Sequence, residues 1–457
     1  MKDYINKFAG NFITGIAGFI TSILLPITLG VESYGIFVYV QRFANTYFEI
    51  SDVGVSAAVS TSLNNDSQEK RHFLSYVIYS TIILLVGIIA IIIYGVLFQK
   101  EFATILLCGL LYFYANHLIS AYNKIFDSIK KTSLYELTKT SFKIGVLISL
   151  LLLFYLKTPN LKLLFICFSA VGVLGIALIF YPLYRANPEY FILLRRDQIK
   201  GYYTFISAVS LPSVLAIMSL FLDTYVVKAT MGNSALGQFG VSQSFGGLTA
   251  LILMSMISIL IRDYAHSFRD TEFATVAYEL VVMTGLTIAV IGTGVITILY
   301  HLDIEFNKNA FIYSSYLLLY FSINSFSRYA QNLLFLSENQ KEWAKVSLVT
   351  ICLNIGVDLI IFFYKGVTLE MFFVKQYGVV ILYWVLLIIR IRKINLIAST
   401  TAFHIHIFAI CIVYVFLSFL SSNLWTFLIV GGYLLFGLTK KLKFVYKNYY
   451  NNSSLRS

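Results

Sequence analysis

The chain has 457 residues, of which 58% are hydrophobic and only 12% charged, and its net charge is +12. So little charge cannot coat a water-soluble protein of this length, and a mean hydropathy of +0.80 leaves most segments apolar on all sides. The balance excludes a soluble enzyme and makes a bilayer the solvent, so the expected fold is all-α and polytopic.

A hydrocarbon core of about 30 Å takes roughly 20 apolar residues per helix. The first such run, 5–29, follows a short charged start and has no small-residue cleavage signature, so it is read as a membrane helix rather than a removed signal peptide. Runs at 34–62, 73–98, 102–126, 133–156 and 162–184 complete an amino-terminal six-helix lobe, 1–190. The stretch Arg185 to Lys200 then interrupts them. Pro188, Tyr190, Phe191, Leu193 and Leu194 beside Arg195 and Arg196 suit an interfacial linker, placed at 191–200. Runs at 201–229, 235–261, 274–300, 309–336, 343–364 and 369–390 form a carboxy-terminal six-helix lobe, 201–395. Two more, 401–420 and 423–441, make an extra helix pair, 396–447, before a tail, 448–457, for about fourteen membrane helices in all.

Basic residues sort by side of the membrane. The two ends and one set of alternate connections collect Lys2, Lys7, Lys70, Arg71, Lys124, Lys130, Lys131, Arg185, Arg195, Arg196 and Lys200, then Arg262, Arg269, Lys341, Lys345, Arg390, Arg392, Lys393 and the tail lysines. The other connections hold only Lys100, Lys157, Lys162, Lys228, Lys308 and Lys365. Positive charge stays on the cytoplasmic side, so both termini are expected there. The asymmetry accounts for most of the net charge without a nucleic acid partner. The cysteines Cys108, Cys167, Cys352 and Cys411 lie singly in apolar runs, as small core residues and not metal ligands.

The chain repeats itself. LGVESYGIFVYVQRF, Leu29 to Phe43, aligns without gaps on MGNSALGQFGVSQSF, Met231 to Phe245, pairing Gly30 with Gly232, Gly35 with Gly237, Phe37 with Phe239, Gln41 with Gln243 and Phe43 with Phe245. Six helices, an even number, separate the copies, so the halves are parallel repeats about an axis along the membrane normal.

Charge at bilayer depth is costly and faces a bundle interior or a wet cavity. In the second helix Arg42, Asn45, Glu49, Asp52 and Ser56 recur at steps of three and four and share one face. They either line a central cavity, with Arg42 for an anion and Glu49 or Asp52 for a cation, or Arg42 and Glu49 form an internal ion pair. The fifth helix sets Glu136, Lys139, Thr140 and Lys143 on one face. Two ammonium groups there call for a counter-anion, either a bound phosphate or Glu136, unless this is a solvated helix end. The tenth helix carries Ser325, Arg328, Gln331 and Asn332, and the twelfth Lys375. Asp223, Glu279 and Asp358 are the remaining intramembrane carboxylates, open either to sodium or proton coupling or to pairing with these cations. His404 and His406 open the thirteenth helix, in an interfacial role. There is no GxxxxGK[ST], serine elbow or zinc signature, and the loops are too short for a catalytic domain, so no enzyme and no cofactor are expected.

Pro26 with LGVESYG, Leu29 to Gly35, and DVGVSAA, Asp52 to Ala58, resemble the amino-terminal pattern of the polysaccharide transporter family. That family, within the multidrug, oligosaccharidyl-lipid and polysaccharide flippase superfamily, includes the O-antigen flippases. Asp223 with MGNSALGQFG, then Asn354 and Tyr377-Gly378, are similar to its second half, and the resemblance spans about the first 395 residues. It implies movement of an undecaprenyl-pyrophosphate-linked oligosaccharide between leaflets of a bacterial inner membrane. Such a protein would be driven by a sodium or proton gradient or by the membrane potential, with polysaccharide polymerase or assembly proteins as further partners besides membrane lipids. Arg42, Lys139, Lys143, Arg328, Lys375 and Asn45 would then hold pyrophosphate and sugar. A cation-coupled drug antiporter of the same superfamily is the competing reading, and would depend on Glu49, Asp52, Asp223, Glu279 and Asp358. The extra carboxy-terminal pair also occurs in the related lipid II flippases, whose first-helix arginine is missing here.

Overall fold

A computed structural model describes residues 2–52, 72–128, 132–157, 160–186, 210–266, 270–301, 308–337, 339–364, 366–398 and 424–445, with single positions between 403 and 411. The described residues are helical and contain no strand. The helices are α1 (Lys2–Leu29), α2 (Val31–Ser51), α3 (His72–Leu97), α4 (Lys100–Ser128), α5 (Thr132–Tyr155) and α6 (Leu161–Ala186), then α7 (Ser210–His266), α8 (Thr271–His301), α9 (Lys308–Leu336), α10 (Gln340–Phe363), α11 (Leu369–Lys393) and α12 (Leu424–Val445). Gly232 breaks α7 into the two spans expected there. The linker 191–200, His406 and most of 401–420 lie outside the described residues.

Helices satisfy their own backbone groups, so lipid can face them directly. Accordingly α3 turns Ile82, Leu85, Val86, Ile89, Ile92 and Ile93 outward. Hydroxyls inside the spans bond back along their own helix, as Thr21 Oγ1 does to the Ala17 carbonyl at 2.7 Å and Thr81 Oγ1 to that of Val77 at 2.8 Å. Eight helical stretches among the described residues are long and apolar enough to cross a membrane, the broken α7 counting once.

The chain divides into two compact units, Met1–Gly237 and Gln238–Ser457. In the first, α4 packs on α2, α3, α5 and α6, while α1 lies along α5 and α5 along α6. The part of α7 before its break joins this unit, where Phe221 meets Tyr39 at 5.8 Å and Phe43 at 6.2 Å. In the second unit α9 packs on α8, α10 and α11, and α10 on α11. The pairings α3·α4, α4·α5, α4·α6 and α5·α6 thus recur as α8·α9, α9·α10, α9·α11 and α10·α11.

The repeat is explained residue by residue. Gly30 and Gly232 both adopt positive φ, 75° and 86°, a conformation open to glycine, and each ends one helix and starts the next. Phe37 stacks on Phe165 at 5.3 Å, and its counterpart Phe239 meets Phe373 at 5.8 Å. Asn160 Oδ1 caps α6 by accepting from the Lys162 and Leu163 amides, and Thr368 Oγ1 caps α11 by accepting from that of Met371. Phe165 and Phe373 each follow their cap by the same five residues.

The two glycine-bearing segments also touch each other. A Cβ placed on Gly35 would strike the Asn233 carbonyl oxygen, and one placed on Gly237 would strike that of Val31. Val31 and Asn233 are themselves repeat equivalents, as are Gly35 and Gly237, so the contact is reciprocal. It lies within the first unit, where two main chains approach closely enough to exclude any side chain.

The last helix belongs to the second unit. α12 packs along α8, with Lys441 paired to Glu279 and Gly437 set against Met283. The segment after α11 returns to the start of α8, where Thr271 Oγ1 donates to the Asn395 carbonyl at 3.3 Å and Thr275 Oγ1 accepts from the Ala398 amide at 2.8 Å.

Candidate functional site

α2 is two-faced. Phe37, Val40, Ala44 and Phe48 are buried in the first unit. Arg42 and Asn45 are half-buried and Glu49 is exposed, on the face away from that packing. Expected to continue to residue 62, the helix stops at Ser51; Asp52 is its C-cap, at φ −95°, and Ser56 lies outside the described residues. This removes Asp52 from mid-helix and sets its carboxylate 3.8 Å from His117 Nε2 on α4, whose ring stacks on Phe48 at 5.5 Å.

The polar face of α5 is built against α1 and α4. Glu136 is 3% exposed and accepts from Lys139 Nζ at 3.1 Å. Gly10 of α1 makes room for that carboxylate, because a Cβ there would meet Glu136 Oε2. One turn on, Thr140 and Thr14 hydroxyls meet at 3.3 Å. Lys143 Nζ donates to Asn116 Oδ1 at 3.1 Å and lies 5.4 Å from the Phe142 ring. Both ammonium groups suspected from sequence therefore sit on one face, each held by a neutral or acidic partner and an aromatic ring. Among the described residues no cluster of three or more metal-ligating side chains occurs.

In the second unit Lys375 Nζ lies 2.5 Å from Asp358 Oδ1, with the side chains 3% and 0% exposed. A candidate anion ligand and a candidate coupling carboxylate thus neutralise each other between α10 and α11. Glu279 pairs with Lys441 of α12. Arg328 is exposed on α9, with Ser325 buried and Gln331 and Asn332 half-buried beside it in sequence. Asp223, in the part of α7 that packs in the first unit, is 5% exposed. His404 is half-buried and stacks on Tyr278 at 5.8 Å, and Tyr278 accepts from Trp384 Nε1 at 2.9 Å.

Sequence reading missed Asn116 and His117, although two adjacent polar residues within the apolar run 102–126 were a usable signal. It also left Lys228 as a loop charge. Its ammonium lies 3.6 Å from the Tyr39 ring centre and 4.6 Å from that of Phe102, a cation–π clamp that sequence spacing could not reveal.

The recurring helix pairings and the apolar outward faces define an all-α polytopic membrane fold. Solved structures agree. A lipid II flippase, MurJ, in an inward closed conformation superposes with a TM-score of 0.70 at 15% identity, covering 97% of this chain and 99% of that one. An inward-facing multidrug resistance MATE family transporter of the MOP superfamily gives 0.59 at 12% identity, over 89% and 94%. The Vibrio cholerae MATE transporter VcmN in its bent form gives 0.53 at 14% identity, over 86% and 97%. No curated protein matches in sequence. The family model for polysaccharide biosynthesis proteins matches residues 1–261, more than half of the chain, and the protein belongs to that family.

Proposed function

We propose that the chain is a flippase that moves an undecaprenyl-pyrophosphate-linked oligosaccharide, of O-antigen type, from the cytoplasmic to the periplasmic leaflet of a bacterial inner membrane. Both termini are cytoplasmic in this reading, and alternating access between the two repeated halves carries the load across. The observation that carries it is the cationic face of α5, where Lys139 and Lys143 stand one turn apart. Arg42 and Asn45 on the unburied face of α2 add to it, and Arg328 is an exposed cation of the second unit. Membership of a polysaccharide biosynthesis family points to a glycan as the cargo.

A drug antiporter is less well supported, because it would rest on carboxylates. Asp358 and Glu279 face lysines, and Asp52 faces His117. The flippase draws on an ion gradient or the membrane potential and hands its product to polymerase or assembly proteins.

The test is glycan export in cells carrying Arg42→Ala or Arg328→Ala. Surface glycan is expected to fall at least tenfold, the factor for losing about 1.4 kcal/mol of anion binding, with the folded protein still in the membrane. Normal export in both variants would overturn the cationic-site assignment. Export of toxic cations in exchange for sodium or protons would instead establish the antiporter.

A further inference from the structure

The second unit carries a charge cluster on its surface that the transport reading leaves unused. Where α10 begins and α11 ends, Glu342 accepts from Lys345 Nζ at 2.6 Å and lies 3.3 Å from Arg390 Nη1, so one carboxylate bridges the two helices. Both cations keep their heads accessible, the Lys345 side chain at 64% and Arg390 at 40% exposure. Lys341 is exposed one turn before Lys345, Lys393 is exposed three residues after Arg390, and Arg392 is half-buried. On these two helix ends five cations therefore stand against one acid. Asp270 and Glu272, at the start of α8 where the chain after α11 arrives, leave the balance positive.

Away from this cluster both helices turn apolar surface outward. Lys345, Val349 and Leu353 follow one another at steps of four along α10, as Val385, Ile389 and Lys393 do along α11, and all six are exposed. The helices pack on each other, so two apolar strips run side by side and each finishes in a cation at the same end. Eight residues of helix carry each strip about 12 Å towards the bilayer centre. Across the seam Trp343 Nε1 donates to the Tyr383 hydroxyl at 3.0 Å, an amphipathic pair of the kind that sits at headgroup depth.

We propose that this face of α10 and α11 binds an anionic diacyl phospholipid of the cytoplasmic leaflet, its phosphate against Lys345, Arg390 and Lys393 and its chains along the two strips. The chemistry decides between occupants. A soluble anion would use the cations and leave the apolar strips idle. A zwitterionic lipid would bring its own cation to a positive surface. A single-chained polyprenyl carrier needs one strip, not two. The inference takes from the proposed function only the cytoplasmic placement of these helix ends.

The experiment reconstitutes the full-length chain carrying Trp425→Phe, which leaves Trp343 and Trp384 as the tryptophans, into phosphatidylcholine vesicles containing brominated phosphatidylglycerol. Bromines quench a tryptophan they approach, so quenching by the brominated anionic lipid relative to brominated phosphatidylcholine measures the preference. Lys345→Gln/Lys393→Gln is expected to lower that preference at least about fivefold, and Glu342→Gln to raise it, with quenching by brominated phosphatidylcholine unchanged in both. An unchanged preference in both variants would overturn the site. Relief of quenching by undecaprenyl phosphate, with none by unbrominated phosphatidylglycerol, would make the carrier lipid the occupant and overturn the assignment. Should the double variant not fold, Glu342→Gln decides, since loss of a merely structural contact would not strengthen lipid binding and an unraised preference would sink the proposal. Any of these failures leaves the cargo to be decided separately by glycan export.

Discussion

The Asp358–Lys375 pair is almost wholly withdrawn from solvent, so each charge depends on its protein neighbours rather than on water. Removing one partner leaves the other buried and uncompensated, which costs about 3–5 kcal/mol, whereas replacing both by apolar groups of similar volume is close to neutral. Thermal unfolding in detergent is expected to show Asp358→Asn or Lys375→Met sharply less stable, and Asp358→Leu/Lys375→Met restored towards wild type. Additive losses in the double variant would mean that the two do not act as a pair. The same pair marks what a sequence can tell. The periodicities of α2 and α5 exposed Arg42, Asn45, Lys139 and Lys143 because spacing along one helix decides which residues share a face. Who meets whom across helices was hidden: Lys375 with Asp358, Glu279 with Lys441 and Asp52 with His117 all join different elements.

Helices were easier to read than sites, since twenty-residue apolar runs leave little choice of secondary structure in lipid. The cap of α2 was not legible, because the apolar run carries no signal at Asp52, where the helix ends. The glycine-bearing repeat was legible as a pattern but not as a contact. A methyl at Gly35 or Gly237 meets a main-chain carbonyl, which cannot rotate away as a side chain can. Gly35→Ala and Gly237→Ala are each expected to cost about 1–3 kcal/mol by overpacking, read as a lower melting temperature. Gly15→Ala, which meets nothing within 4 Å, serves as the neutral control. Equal melting temperatures for all three would refute the close approach.

For the whole molecule, the charge asymmetry and the even number of spans fix the expected orientation, and reporter fusions check it. A reporter active only in the cytoplasm is expected to work when joined after Lys447 and to fail when joined after Gly366, which follows α10 on the opposite side. Activity at both points would overturn the topology. The carboxy-terminal helix, whose place the sequence left open, is an integral part of the second unit through its seam with α8, so separating α12 from the unit would uncover Glu279 as well as apolar surface.

The reciprocal meeting of Val31 with Gly237 and of Asn233 with Gly35 has a consequence for how such a chain can change over time. Within the first unit, each glycine lies against the main chain of the other copy. A larger residue at Gly35 or Gly237 would push against the main chain of the other copy, so a change at one position bears on both. The two glycines of the repeated segments, Gly35 and Gly237, therefore answer to one geometric requirement, which a side chain at either position would violate.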